Sequence, residues 1–467
     1  MTAPTKSVAT RTRRWRGIPE GDGPPWTDPA VAERLFGQFR SDLVGIVTGV
    51  NQRLRDVDDV RAFTVGASTC ETTHLLGERS TATNGGGALH ERAAVVAAIA
   101  ETVERYSATY RPDDAVIQAS WRELAAGGDN AVSPGQLRLF TDAQLCEPGF
   151  PFVGFTDDLT IRWVPGVGLA SGQRTWLPAS LVFLSAPPRE PAGCIGYSTS
   201  NGLAAGCTWD EAALAGLLEL VERDGFCTTW HNGLSMPRID PASDPEVSAF
   251  FDRHVRPAGL SVALVDLSRF GQVPSVLAIV RNENNDIAPI GLGAAAAADP
   301  RRAITKAVIE AFQTRVWMRA EQRAGTALPP DTDFTAEIRD FPDHVRLYSG
   351  PGLIEHTRFL DASDDRVAVG DLPAVPGARP RQVLLGVLEH LAAQGVDVYL
   401  ADATSPDVRS AGAVVARVFA PALVPLDAWY RARFLGVPRL RRRPVELGLV
   451  PRPRRDEELT AYPHPFP

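Results

Sequence analysis

Long apolar runs on helical spacing set the frame of this chain. Ala93 to Ala100 is apolar without interruption, and its surroundings predict a helix from His90 to Ser107. Ala212 to Leu218 is nearly all apolar, and Thr208 opens a second helix running to about Phe226. Asp299-Pro300 opens a third, near Arg301–Arg323. Helices that are apolar all round are buried rather than surface-lying. Short apolar runs predict strands at Leu260–Leu267, Pro274–Arg281, Val396–Leu400 and Val414–Ala420, with a helix near Val383–Gln394. Residues 61–83 hold short β-prone runs, and Asn84-Gly85-Gly86-Gly87 reads as a turn. Residues 113–190 mix short strands and loops, with a break from Pro188 to Gly193. The irregular alternation predicts an α+β (mixed α/β) fold. Three parts are expected. They are a basic, Pro/Gly-rich N-terminal arm over 1–38, mobile to about residue 30, one domain over 39–434 with a Pro/Gly/Ala linker at 371–381, and an Arg/Pro-rich tail over 435–467.

Composition narrows the class. With 467 residues, 44% of them hydrophobic and 22% charged, the chain can bury a large core. Its net charge of −8 speaks against a nucleic-acid binder. The only lysines are Lys6 and Lys306, and neither follows a glycine-rich loop, so a P-loop is excluded. Cys70, Cys146, Cys194, Cys207 and Cys227 are odd in number and widely spaced, which reads as a reducing, cytoplasmic setting. No apolar core follows Arg11 to Arg16, so no signal peptide is expected, and no run is long enough for a membrane span.

The chemistry lies where the buried helices turn polar. The first continues as Glu101-Thr-Val-Glu104-Arg105, the second as Glu219-Leu-Val-Glu222-Arg223. Spacings of three and four place each set on one helix face. A single E-x-x-E-R is usually a solvated helix end with a local ion pair; here the repetition and the apolar preludes favour a buried site. Buried carboxylates are tolerated when paired or metal-bound, and two arginines cannot neutralise four glutamates. A hard divalent cation such as Mg²⁺, carrying a nucleotide, would resolve the excess. Glu310-Ala-Phe-Gln313 adds a third set on the third helix. Glu211, three residues after Thr208, fits the N3 position of a capping box, in which its carboxylate bonds back to the Thr208 amide. His74, His90 and His231 show no zinc spacing, Cys207 and Cys227 read as buried thiols, and the Arg run 439–443 reads as a solvated face.

The segment Asn201-Gly-Leu-Ala-Ala-Gly206 through Glu219-x-x-Glu222-Arg223-Asp224 resembles the signature of YcaO-domain proteins. Thr83 to Ala88 with Glu101-x-x-Glu104-Arg105, Glu310-x-x-Gln313, and Val418-Phe-Ala-Pro421-Ala-Leu423 resemble their other motifs, in order. The resemblance spans about residues 40–430 and implies a YcaO-type ATP-binding fold without a P-loop. It implies that Glu101, Glu104, Glu219, Glu222 and Glu310 hold Mg²⁺ beneath ATP. Arg105, Glu211, Arg223 and Gln313 would contact the nucleotide or support the cluster. The chain departs from the family pattern at Gly86, Ala97 and Cys207. Its ending, Pro463-His-Pro465-Phe-Pro467, resembles that of azoline-forming cyclodehydratases of thiazole/oxazole-modified peptide biosynthesis. That implies a role for the Pro467 carboxylate as a catalytic base. The implied partners are a ribosomally made precursor peptide and a separate leader-recognition protein of the ThiF-like/ocin kind. A homodimer is common in the family, and neither nucleic acid nor membrane is implied. A thioamide- or amidine-forming enzyme and a catalytically degenerate partner subunit are the alternatives.

Overall fold

A computed structural model describes residues 21–76, 80–81, 83–110, 115–184, 193–283 and 287–466. The basic residues before 21, most of the break at 188–193, and Pro467 lie outside these. Helix α1 (Pro29–Gly37) packs Phe36 inward, so the arm expected over 1–38 is folded from Pro29. Strands β1 (Val47–Arg53), β2 (Phe63–Thr69) and β3 (Thr83–Ala88) form an antiparallel sheet in that order.

Strand β3 is the segment whose glycines read as a turn. Tertiary packing overrides the local signal. Helix α2 (Glu91–Thr109) lies directly on the strand, and a Cβ at Gly86 would collide with the Ala94 carbonyl and the Ala98 amide. Glycine serves close backbone approach here. Ala97 lies against the same point, so two of the departures from the family pattern are small residues packed on each other.

The chain continues through β4 (Ile117–Ala119), β5 (Ile161–Gly168), β6 (Arg174–Pro178), β7 (Leu203–Gly206), α3 (Trp209–Asn232) and β8 (Arg238–Asp240). Then come β9 (Ser261–Asp266), β10 (Ser275–Arg281), β11 (Ile290–Ala296), α4 (Pro300–Ala324) and β12 (Arg366–Ala368). The last elements are α5 (Pro380–Ala392), β13 (Tyr399–Asp402), β14 (Val414–Phe419) and α6 (Arg439–Glu446). One sheet has the order β11-β10-β9-β8-β12; another has β4-β5-β13-β14-β7, with β6 on β5. Helix α3 packs against β14 and β7 of one and β11 and β10 of the other, which is why it is apolar on nearly every face. It runs past Phe226 because no breaker intervenes before Gly233, which ends it in the left-handed conformation. Helix α4 lies on β10 and β11, and Gly293 lets it approach, since a Cβ there would strike the Ala311 amide.

The segment 435–466, expected as a tail, buries Val437, Leu440, Leu459 and Phe466 in the core, while 451–458 stay largely exposed. Arg439 and Arg443, read from the sequence as a solvated face, are buried. The Arg439 Nε–H is shared between both carboxylate oxygens of Asp224 on α3, at 2.9 and 2.8 Å, and Nη2 donates to the Phe270 carbonyl. A contact 215 residues away in sequence has no local signature. None of the five cysteines forms a disulfide. Among the described residues no helix is long and apolar enough to cross a membrane.

Candidate functional site

The two E-x-x-E-R motifs are built alike. Each follows an Asn-Gly step whose glycine amide donates to the first glutamate: Gly85 to Glu101 at 3.2 Å, Gly202 to Glu219 at 2.9 Å. In each, the arginine holds both glutamates of its own helix. Arg105 reaches Glu104 at 2.7 Å and Glu101 at 3.3 Å. Arg223 stands 3.4 Å from Glu222 and 3.5 Å from Glu219.

Helices α2, α3 and α4 bring these faces together around one recess. Glu101 and Glu104 both feel the charge of Glu219; Glu222 feels Glu310 and Glu219. The outer carboxylates keep water access, with Glu101 34% and Glu219 23% exposed, while Glu222 at 3% lies at the bottom. Burial, reinforced by neighbouring carboxylates, disfavours the charged form of Glu101, Glu104, Glu222 and Glu310. Glu104 is pushed up to about 8, and Glu101, Glu222 and Glu310 are also raised. Among the described residues no three His, Cys, Asp or Glu side chains stand at metal-ligand spacing; the carboxylates rest on arginines and backbone amides instead.

The donor set nonetheless fits a metal-bound polyphosphate. Glu222 Oε1 and Glu310 Oε2 are buried without a hydrogen-bond partner, and so are Arg223 Nε and Nη1. Oxygens and guanidinium donors left open side by side suit a hard cation and the phosphate oxygens it would carry. Lys306, one turn before Glu310 on α4, is solvent-accessible and within the field of Glu310, Glu222 and Glu219. In the sequence, the i, i+4 spacing of Lys306 from Glu310 is the signal that would place it here. Arg417 on β14 also borders the recess, and its charge acts on Glu219 and Glu104. Nothing local marks it in sequence.

Two expected residues stand differently. Gln313 lies against β3, where a Cβ on Gly87 would come within 2.6 Å of its amide oxygen. Glu211 is apart from the cluster, about 12 Å up the α3 axis from Glu219. Its backbone amide donates to Thr208, but its carboxylate accepts from the Thr27 amide and hydroxyl, at 2.6 and 2.9 Å, rather than closing a capping box.

The C-terminal segment enters from the far end of α3. Thr460 donates to the His231 carbonyl, Trp230 to that of Tyr462, and Tyr348 to that of Pro463. The Phe466 ring packs on Phe226 and lies 4.4 Å below the Arg223 guanidinium. The segment thus meets α3 first at His231 and Trp230 and then, at Phe466, beside Phe226 and Arg223.

An acid-lined recess between helices, with open carboxylate and guanidinium groups and no P-loop, defines a protein suited to a metal-bound polyphosphate. The family model described as "YcaO cyclodehydratase, ATP- and Mg²⁺-binding" matches residues 84–424, and the chain belongs to the YcaO family. It is 30% identical over 319 residues to an uncharacterized protein from the tfuA 3′ region of Rhizobium leguminosarum bv. trifolii, covering 64% of this chain and 67% of that one. The fold matches a heterocyclase solved in complex with substrate and cofactor (TM-score 0.79, 23% identity, 98% of this chain). It also matches YcaO from Methanopyrus kandleri bound with AMPPCP and Mg²⁺ (TM-score 0.59, 20% identity, 85% of this chain and 91% of that one). This chain spans 60% of the length of that heterocyclase.

Proposed function

We propose that this chain is an ATP- and Mg²⁺-dependent cyclodehydratase acting on a ribosomally made peptide. The observation that carries the reading is the set of open groups, Glu222 Oε1, Glu310 Oε2 and Arg223 Nη1, in a recess that Phe466 reaches from the C-terminal side. In the reaction, a Cys, Ser or Thr side chain closes on the preceding amide carbonyl. The amide oxygen departs as phosphate, leaving a thiazoline or oxazoline and ADP. Mg²⁺ with ATP, when bound, supplies the phosphoryl group and neutralises charge on it.

Glu101, Glu104, Glu219, Glu222 and Glu310 hold the cation. Arg223 and Lys306 would offer donors to phosphate oxygens, while Arg105 fixes the first glutamate pair. Gln313 braces β3 beneath the recess. Glu211 belongs to the nucleotide side at the start of α3, where Thr27 must yield to a ligand. The Pro467 carboxylate, one residue beyond Phe466, accepts the proton released on ring closure. The working assembly includes a leader-recognition protein of the ThiF-like/ocin kind, a second copy of this chain in a homodimer, and a cytoplasmic setting.

The test is a mass spectrum of the precursor peptide after incubation with this chain, its recognition partner, Mg²⁺ and ATP. Loss of one water per modified residue is expected. Replacement of oxygen by sulfur, given a sulfur donor, would indicate a thioamide-forming enzyme. An unchanged peptide, with the partner bound to both leader and this chain, would indicate a non-catalytic subunit. Residues appended after Pro467 should abolish turnover if its carboxylate is the base.

A further inference from the structure

Beside the recess lies a second concavity, a cleft whose apolar walls include Leu139, Leu181, Tyr197, Leu220, Pro421 and Phe434. It adjoins the chemistry directly. Leu220 follows Glu219, and Asn201 precedes the Gly202 whose amide holds the Glu219 carboxylate. Arg417, in the cleft wall, acts on Glu219 and Glu104.

The polar side chains of the wall are engaged with one another. Arg417 donates to the carbonyls of Val182 and Thr199 and to the Ser198 hydroxyl, each at 2.8 Å, and to the Asn201 carbonyl. The Asn201 amide donates to the Leu426 carbonyl, and the Tyr197 hydroxyl accepts from the amides of Ala428 and Trp429. A nucleotide base placed here would bury ring nitrogens and exocyclic groups against hydrocarbon without partners, which is costly. A hydrocarbon side chain leaves nothing unpaired.

Resting on the functional reading above, we infer that this cleft receives an apolar side chain, aliphatic or aromatic, of the substrate peptide beside the residue being cyclised. The cleft then selects which Cys, Ser or Thr enters the recess. Its hydrocarbon walls solvate a charged side chain less well than water does, so an apolar residue is preferred there over an acidic one.

The experiment places a photo-reactive benzoylphenylalanine at each position flanking a cyclisable residue of the precursor. The peptides are irradiated with the full chain, its recognition partner, Mg²⁺ and ATP. Crosslinks should map to Leu139, Leu181 and Tyr197. In parallel, Leu139→Arg should lower kcat/KM about tenfold or more for precursors with Leu or Phe at the crosslinking position. It should narrow or reverse the preference over Asp there. Crosslinks elsewhere, or an equal loss across all precursors, overturn the inference. So does a raised KM for ATP with peptide selectivity unchanged, which would assign the cleft to the nucleotide. Failure of the functional reading looks different: no ring forms on any precursor with the native chain, whereas the crosslinks still report what occupies the cleft.

Discussion

Three consecutive residues of α3 take part in two acid–base pairs, Glu222 with Arg223 and Asp224 with Arg439 of α6, and the pairs differ in how complete they are. Asp224 and Arg439, 1% and 2% exposed, satisfy each other and their surroundings. The Asp224 carboxylate also accepts from the Val424 amide, and Arg439 also donates to Phe270 and Gln394. Glu222 and Arg223, 3% and 11% exposed, meet only as a loose ion pair at 3.4 Å and leave one oxygen and two nitrogens without a hydrogen bond. A finished pair is a structural joint, here the one that ties the C-terminal segment to the central helix. An unfinished pair, nearly as buried, is open to something that arrives later. Burial alone does not separate the two cases; the hydrogen-bond inventory does.

Breaking the joint should have the largest effect. Arg439→Met leaves Asp224 as an uncompensated buried charge and should cost about 3–5 kcal/mol, read by urea denaturation. A loss below about 1 kcal/mol would mean that the pair is no more finished than its neighbour.

The unfinished pair should respond the opposite way. Glu222→Gln removes a carboxylate that burial already disfavours, so stability should hold or rise by about 1 kcal/mol. Peptide-dependent ATP turnover should nonetheless fall about 100-fold or more. A variant both unstable and inactive would place Glu222 with Asp224, as structure rather than site.

Mg²⁺ with a non-hydrolysable ATP analogue should complete the recess. At 100 times its dissociation constant such a ligand adds about 2.7 kcal/mol. Protons compete for the same carboxylates. Because the Glu104 carboxyl is pushed up to about 8 from 4.5, the apo recess is favoured at low pH and loses stability as pH rises through 8. The stabilisation by Mg²⁺ and analogue should therefore be greater at pH 8.5 than at pH 6.5, as measured by thermal melting. Equal shifts at both would show that these acids do not hold the cation.

What could be read in the sequence divides along the same line. Glu101, Glu104, Glu219, Glu222 and Glu310 were legible because helical spacing is local and because carboxylates at the end of an apolar run contradict their surroundings. The frame of α2, α3, α4 and the strands around them followed from periodicity. The structural joint was not legible. Arg439 looked solvated because Asp224, 215 residues earlier, carries no mark of its partner. Glycines of β3 looked like a turn because their reason, the backbone of α2 lying on them, appears only in three dimensions. The same holds for Arg417, whose partners at 182 and 198–201 come from other parts of the chain.

The C-terminal seat sharpens the comparison with the smallest effect, because there acid should act with the opposite sign. His464 is buried against His344, with ring centroids 4.2 Å apart, and donates to the Asp427 carbonyl at 2.7 Å. His344 bonds in turn to the His464 carbonyl, and the Asp427 carboxylate is paired with His231. Burial, with His344 adjacent, pushes His464 down to about 3 from 6.5, so the seat requires a neutral ring. The unfolded chain takes up its proton near 6.5 and the folded seat does not until about 3. Its contribution is therefore full above 6.5 and is lost progressively as pH falls toward 3, by up to about 1.4 kcal/mol per unit. His464→Asn keeps a donor for Asp427 but cannot titrate. Between pH 7 and 5.5 the native chain should lose about 1 kcal/mol more than this variant in denaturant titrations. The recess acids shift both proteins alike and cancel in the difference. Parallel curves would mean that the His464 ring does not stay neutral in its seat. The C-terminal segment would then be charged like the recess it approaches, rather than finished like the joint that anchors it.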